Sequence, residues 1–496
     1  MFTNLMSDDV RMHIGIPTFL AICALLMLGL PVSAATMSAG TAKAVITNTD
    51  PLVMVNGNTS TGALSDLYTR VVVLNDGEGR LVFVANDLNC LDVATPILRK
   101  RVLDELGIDP ARLIILATHN HNAPIQIVPD NFAYGRQLAD IIFQTIQEAI
   151  ANERGPACLL LGAGDGPFLT AMGADVLDTE AQLLKVLVDD TPLAMLFSHP
   201  THPLQASQDQ VEPGHPGYAV LEVERRMPGV LALYGTAAGG NQFAVVPPEY
   251  RVSGRDAREQ GPEFAAEQRE RAARALGSRL ADVVMAVADA DMQDVTGPIQ
   301  ARMEVIALPL GEPLSREEAL KLAESFPEDV GFVPYPHRHR STNWVRMLLR
   351  HYEENIPFPK RTTDWLCTDD TYLIHKEDQE LLAAYACGIH DAFPCVYEEV
   401  VAARIGPMAF VAMQGEVCAP IGLRIKEAVR KEAPLLLFAY FGEHNLYIPT
   451  RAIVEANLYQ ARVIQIQYAS PVPWSLDVED VMVAETLRLI SEVMTD

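Results

Sequence analysis

The sequence predicts an α/β protein in which mixed β-sheets are flanked by helices, and three observations carry that expectation. First, LVFVAND (81–87), VATPILRKRVLDELG (93–107) and LIILATH (113–119) read as strand, helix and strand, with Gly107 as the helix stop. Such a crossover makes the two strands parallel and buries both their faces, which is why they are almost continuously apolar. Second, apolar residues recur every three or four positions at 136–151 and over 263–290, as covering helices require. Third, short apolar runs at 157–161, 183–188, 193–198, 230–235, 301–309, 398–405, 408–413 and 435–441 supply further strands. The turn IGP between the runs at 398 and 408 predicts a hairpin, so parallel and antiparallel pairing coexist.

Taken in chain order, the first element is a targeting segment. Residues 14–31 form an apolar core behind Arg11 and His13, and the small residues around Ala34 suit a signal peptidase. Residues 1–34 therefore read as a signal peptide, and the protein as exported, periplasmic or secreted. If uncleaved, the segment would be a membrane anchor. Asp8 and Asp9, in a region that should be positive, point to Met12 as the true start. No later run is long enough to span a bilayer. With 64 acidic against 38 basic residues and a net charge of -26, the chain is a poor partner for nucleic acid or an anionic membrane surface. GAGDGP (162–167) lacks both GxGxxG spacing and a following helix, and reads as a turn. Residues 328–397, rich in Pro, aromatic and basic residues, read as an inserted lid or subdomain, where Cys367, Cys387 and Cys395 lie close enough in sequence for one disulfide. Cys90 and Cys158 read as small core residues. The last element is an amphipathic helix, VEDVMVAETLRLISEVM.

The chemistry sits at strand ends. LIILAT runs into His119 and His121, AMLFS into His199, MAFVAMQG into Glu416, and LLLFAYFGEHNL into Tyr447. Each strand delivers a metal-capable side chain at or just past its carboxyl end, where ligands bind in parallel units. Residues two apart in an extended segment point the same way, so His119 and His121 can share a cavity. Imidazole, carboxylate and phenolate together suit zinc. His202, in SHPTHP, reads as a loop residue. Taken singly, each of these side chains has a plain structural reading as well.

Together these residues resemble a known family. THNHNAP is similar to the THTHS segment of neutral ceramidases, SHPTHP to their His-Pro-Thr segment, QGE to their Pro-Gly-Glu, and NLYIPT to their tyrosine segment, in the same order. AKAVITNTDPLVMVNG and DLYTRVVVLNDGEGRLVFVANDL resemble the opening of that family's catalytic domain, and GTAAGG (235–240) its glycine-rich loop. The resemblance implies a ceramidase-like zinc hydrolase domain over residues 39–490, with the metal site at the carboxyl ends of strands. It implies His119, His199, Glu416 and Tyr447 as zinc ligands, His121 as a proton-transfer or carbonyl-binding group, and Tyr459 as a second tyrosine holding the reacting carbonyl. The activity implied is hydrolysis of an N-acyl amide, ceramide or a related compound, and the same apparatus would cleave an ester. Where the family has an aspartate and a serine in its glycine-rich loop this chain reads GTAAGGNQ, and NAPIQIV follows His121 in place of a Gly-rich turn. That departure leaves room for a second class of function, a secreted zinc- or sugar-binding protein without turnover.

Overall fold

The computed structural model describes residues 37–496, apart from 174–175, 205–208, 326–342, 356–357, 359, 362–375, 377–379, 387–393, 444–445, 469 and 496. Residues 1–34, expected to be a signal peptide, lie outside the described residues, as do Cys367, Cys387 and most of the stretch 328–397.

Three sheets carry the architecture, and each contains one parallel pair closed by a helix. In the first, β1 (Ser38–Val45), β2 (Tyr68–Asn75), β3 (Arg80–Asn86) and β4 (Leu113–Ala117) lie side by side, antiparallel until β3 meets β4 in parallel. The crossover is α1 (Ala94–Leu106), stopped at Gly107 in the left-handed conformation, and α2 (Phe132–Ala151) follows. The strand–helix–strand expectation is met.

The second sheet is built from β5 (Ala157–Asp165), β7 (Glu180–Val188), β8 (Thr191–His199) and β9 (Leu231–Thr236), with β11 (Gln293–Asp294) at the edge beside β5. Its parallel pair, β8 and β9, is joined through α3 (Gly214–Arg226). The long helix α4 (Pro262–Asp289) packs beside α3, and β6 (Leu169–Ala171) pairs with β10 (Gln242–Ala244) as a separate ribbon. GAGDGP is no turn at its start: Gly162 to Asp165 continue β5 against β7. The glycines are needed there because a Cβ at Gly162 or Gly164 would come within 2.7 or 2.6 Å of Val287 on α4.

In the third sheet β12 (Ile299–Pro309), β13 (Cys395–Ile405), β14 (Met408–Met413) and β16 (Leu435–Phe438) are neighbours in that order. β13 and β14 form the expected hairpin around Gly406, and the parallel pair β14 and β16 is closed by α7 (Ala419–Val429). Before it, α5 (Arg316–Glu324) and α6 (Asn343–Glu354) bury Ala319, Val345 and Leu348 against each other. Cys395 to Tyr397, assigned to the insertion from sequence, belong to β13. Just before α7, β15 (Glu416–Val417) pairs in parallel with β17 (Tyr447–Ile448), and α8 (Tyr459–Ile466) and α9 (Val478–Thr495) complete the chain.

The two-residue alternation of the strands sorts their apolar side chains into separate cores. Val72, Leu74, Phe83, Leu116, Leu184, Leu196, Leu233, Val401, Phe410 and Phe438 share one central core lined by all three sheets. The alternate residues, Val71, Val73, Val82 and Ile115 in the first sheet, face α1 and α2. Met195, Phe197, Ala232 and Tyr234 in the second face α3 and α4, and Val400, Val411 and Leu437 in the third face α7 and α9. No strand of the three parallel pairs has a wet face, which accounts for the unbroken apolar runs. Among the described residues no helix is long and apolar enough to cross a membrane.

Phe410 is fully buried where the sheets meet, 5.4 Å edge-on to Phe83 of the first sheet and 5.9 Å from Phe438. Phe410→Ala is expected to cost about 3–5 kcal/mol, read as a lowered urea midpoint with an unchanged slope.

Candidate metal centre

The three parallel pairs bring their carboxyl ends to one place, and the polar residues past those ends meet there. β4 ends at Ala117, and the chain turns sharply through His119, whose φ of 57° is left-handed although it carries a Cβ. The neighbouring contacts impose this: the Thr118 N–H donates to the Asn86 carbonyl at 3.0 Å and the Asn120 N–H to the Leu88 carbonyl at 3.0 Å. The Asn89 amide, 3.1 Å from His119 Nδ1, holds the ring so that Nε2 points into the centre.

His202 arrives from β8 by way of Pro200 and Thr201. Its Nδ1 lies 3.2 Å from both the Gly239 and Gln242 carbonyl oxygens, so that nitrogen donates to the backbone and Nε2 faces the centre. The ring is stacked between Phe243 and Tyr447, at centroid distances of 5.0 and 5.7 Å. Glu416 and Tyr447 are directly paired in the β15–β17 ribbon, so one register places both side chains. Glu416 Oε2 stands 2.8 Å from His202 Nε2 and 3.2 Å from His119 Nε2, and Tyr447 Oη stands 2.9 Å from His202 Nε2.

Backbone contact without side chains makes this possible. A Cβ at Gly239 would sit 2.4 Å from the Pro200 carbonyl carbon, and one at Gly240 would sit 2.1 Å from the Glu416 carbonyl oxygen. The glycine-rich segment after β9 is therefore a spacer that lets the His202 and Glu416 segments approach.

One ligand atom from each of His119, His202 and Glu416 lies within 4.8 Å of the others, and all three residues are buried. Burial opposes the Glu416 charge, yet His119 and His202 outweigh it and hold the carboxyl well below the ordinary carboxylate range. Burial also lowers the His119 pKa, against the pull of Glu416. A bare imidazole nitrogen and an ionised carboxylate oxygen repel at 2.8 Å unless a proton or cation lies between them. Two imidazoles, a carboxylate and a phenol oxygen are a donor set that a divalent ion of the zinc type fits.

His199, expected from sequence as a ligand, is not part of this group. On β8 it shares the face of Met195 and Phe197, which point to the helix-covered core, and its Nε2 is 2.9 Å from the Gly166 carbonyl with the ring stacked on Phe168. His202 occupies the corresponding place at the centre. The alternation along β8 was the signal that separates the two histidines. His121 stands beside the group, its Nε2 3.0 Å from His119 Nε2. Tyr459 lies further out, 36% exposed, with its ring edge-on to Tyr447 at 5.8 Å and its hydroxyl donating to Gln467. Asn89 and Tyr440 were not legible: Tyr440, also left-handed at φ 56°, packs its ring 4.5 Å from that of His119.

The fold is similar to that of neutral ceramidase from Pseudomonas aeruginosa, with a TM-score of 0.65 at 14% identity over 93% of this chain and 75% of that one. It is similar also to a ceramidase complexed with C2, with a TM-score of 0.63 at 15% identity over 93% of this chain and 76% of that one. No protein-family model and no curated protein matches the sequence.

Two outcomes follow. His202→Ala is expected to abolish stoichiometric metal binding in elemental analysis, whereas His199→Ala retains it. His199 is held neutral in the fold, its pKa lowered by burial from 6.5 to about 4. The unfolded chain takes up this proton first as pH falls, so the associated stability is complete above pH 6.5 and is lost toward pH 4. His199→Gln should flatten the fall of the urea midpoint across that window.

Proposed function

We propose that the chain is a metal-dependent, ceramidase-like hydrolase of N-acyl amides, with His119, His202, Glu416 and Tyr447 holding a zinc ion. The observation that carries this reading is the buried convergence of His119, His202 and Glu416 at the carboxyl ends of strands, within a ceramidase-like fold. When bound, zinc lowers the pKa of a coordinated water and polarises a carbonyl.

The chain's own groups divide the remaining work. Glu416, held ionised by the imidazoles beside it, suits the role of ligand and not that of an acid. Burial raises the Tyr447 hydroxyl well above its ordinary pKa, and only a cation beside it would favour the phenolate. His121 is less buried than its neighbours and reaches to 3.0 Å from His119, which suits it to carry a proton to the departing amine as the C–N bond breaks. Tyr459, at the exposed edge of the group, would donate its hydroxyl to the reacting carbonyl in place of Gln467. The apolar segment at 14–31 supports an exported enzyme that meets its substrate outside the cytoplasm.

The test is turnover of N-acyl sphingoid lipids, N-acyl amino acids and soluble chromogenic amides by the purified protein, before and after chelation and zinc re-addition. Loss on chelation and return with zinc is expected, with preference for an N-acyl lipid. His121→Ala should lower kcat by roughly 10²- to 10⁴-fold while zinc content is unchanged. Zinc bound without turnover of any amide or ester would leave a binding protein.

A further inference from the structure

The asparagines of THNHNAP are not explained by the metal-centre chemistry. Asn120, between the two histidines, and Asn122, after them, are fully or almost fully buried, 0% and 2% exposed. Both meet the same residue. Asn120 Nδ2 donates to the Glu212 carbonyl at 2.6 Å and to the Asp87 carbonyl at 3.2 Å, and Asn120 Oδ1 accepts from the Asn122 N–H at 2.9 Å. Asn122 Nδ2 donates to Glu212 Oε1 at 3.1 Å, and the Glu212 N–H returns a bond to the Asn122 carbonyl at 3.2 Å.

The second carboxylate oxygen has a different task. Glu212 Oε2 accepts from the Gly214 N–H at 2.8 Å, at the first turn of α3, where Pro213 gives no side-chain cap. An anion at a helix N-terminus is favoured by the unpaired N–H groups and the helix dipole. One buried carboxylate therefore joins the start of the α3 crossover to the loop that carries His119 and His121. Its own segment is anchored in turn, since the Val211 N–H donates to the Gly62 carbonyl at 2.8 Å.

We infer that Glu212 is a positioning residue for the metal centre, holding the left-handed His119 and its neighbour His121 in place through its carboxylate on Asn122, beside the Asn120 amide on its backbone carbonyl. The inference rests on the reading of His119 as a metal ligand. A strained left-handed residue persists only where its surroundings over-determine it, and the clamp on Asn120 and Asn122 does so immediately C-terminal to His119. Outer-shell partners of this kind orient ligands without touching the ion.

The experiment compares wild type with Glu212→Ala, Glu212→Gln and Asn122→Ala, reading zinc dissociation constants by competition with a chromophoric chelator, kcat and KM separately, and thermal midpoints. Asn122→Ala removes the side-chain contact to Glu212 Oε1 but leaves Glu212 on the α3 terminus, so it separates positioning from helix capping and guards against a misfolded Glu212→Ala. Asn122→Ala and Glu212→Ala should each weaken zinc binding about 10- to 100-fold. Their kcat is expected to fall at saturating zinc while KM changes little. Glu212→Gln, which can keep both contacts if the Asn122 amide rotates by half a turn, should recover most of the affinity. Variants that bind zinc as wild type does, whatever their thermal midpoints, would overturn the positioning role and leave the metal centre standing. A wild-type protein that binds no zinc would remove the metal-centre reading itself, and the role of Glu212 with it.

Discussion

The structure depends on placing an ionised carboxylate and two imidazoles out of water at the junction of three sheets. Glu416, His119 and His202 are each at most 6% exposed, and an isolated buried charge would cost several kcal/mol. The surroundings are arranged to make that burial tolerable. His202 has its Nδ1 proton taken by two backbone carbonyls, His119 has its ring held by Asn89, and Glu416 is aligned by a backbone pair with the Tyr447 ribbon. The two rings and Glu416 Oε2 are thus pre-aimed at one point, which is the arrangement tight metal binding would demand.

The same constraint explains the glycines and the repeated crossover helix. Each sheet supplies one parallel pair, and each pair ends in a segment that must come within van der Waals reach of the segments from the other two. The first sheet contributes His119, the second His202 and the third Glu416 with Tyr447. Gly239 and Gly240 lie where the second and third segments cross, and any side chain there would drive them apart. The glycines of this loop thus act as spacers between the two segments.

Much of this was legible in the sequence, because the signals were local. The apolar runs located the strands of the three parallel pairs, Gly107 stopped α1, and the IGP turn made its hairpin. His119, Glu416 and Tyr447 stood out as polar side chains at the ends of such runs. The choice between His199 and His202 was harder, since it depends on which face of β8 is covered by α3 and α4, a tertiary fact that the alternation of Met195 and Phe197 only hints at. GAGDGP was misread for a similar reason: its glycines answer to the nearness of α4, not to a turn. Asn89, Tyr440 and Glu212 were out of reach altogether, because their partners lie tens of residues away in sequence.

A centre assembled from three separate sheets also couples ligand occupancy to the integrity of the whole chain. Were the donors all on one hairpin, a partly unfolded protein could still grip an ion. Here no single sheet carries enough of them, so the native state alone offers the complete set. Binding energy at such a junction is felt as global stability, growing by about 4 kcal/mol when the free ion exceeds its dissociation constant a thousandfold. If the group holds an ion as proposed, metal supply would then set the lifetime of the folded protein, and a chain in metal-poor surroundings would be cleared by proteolysis sooner than one that had loaded its ion.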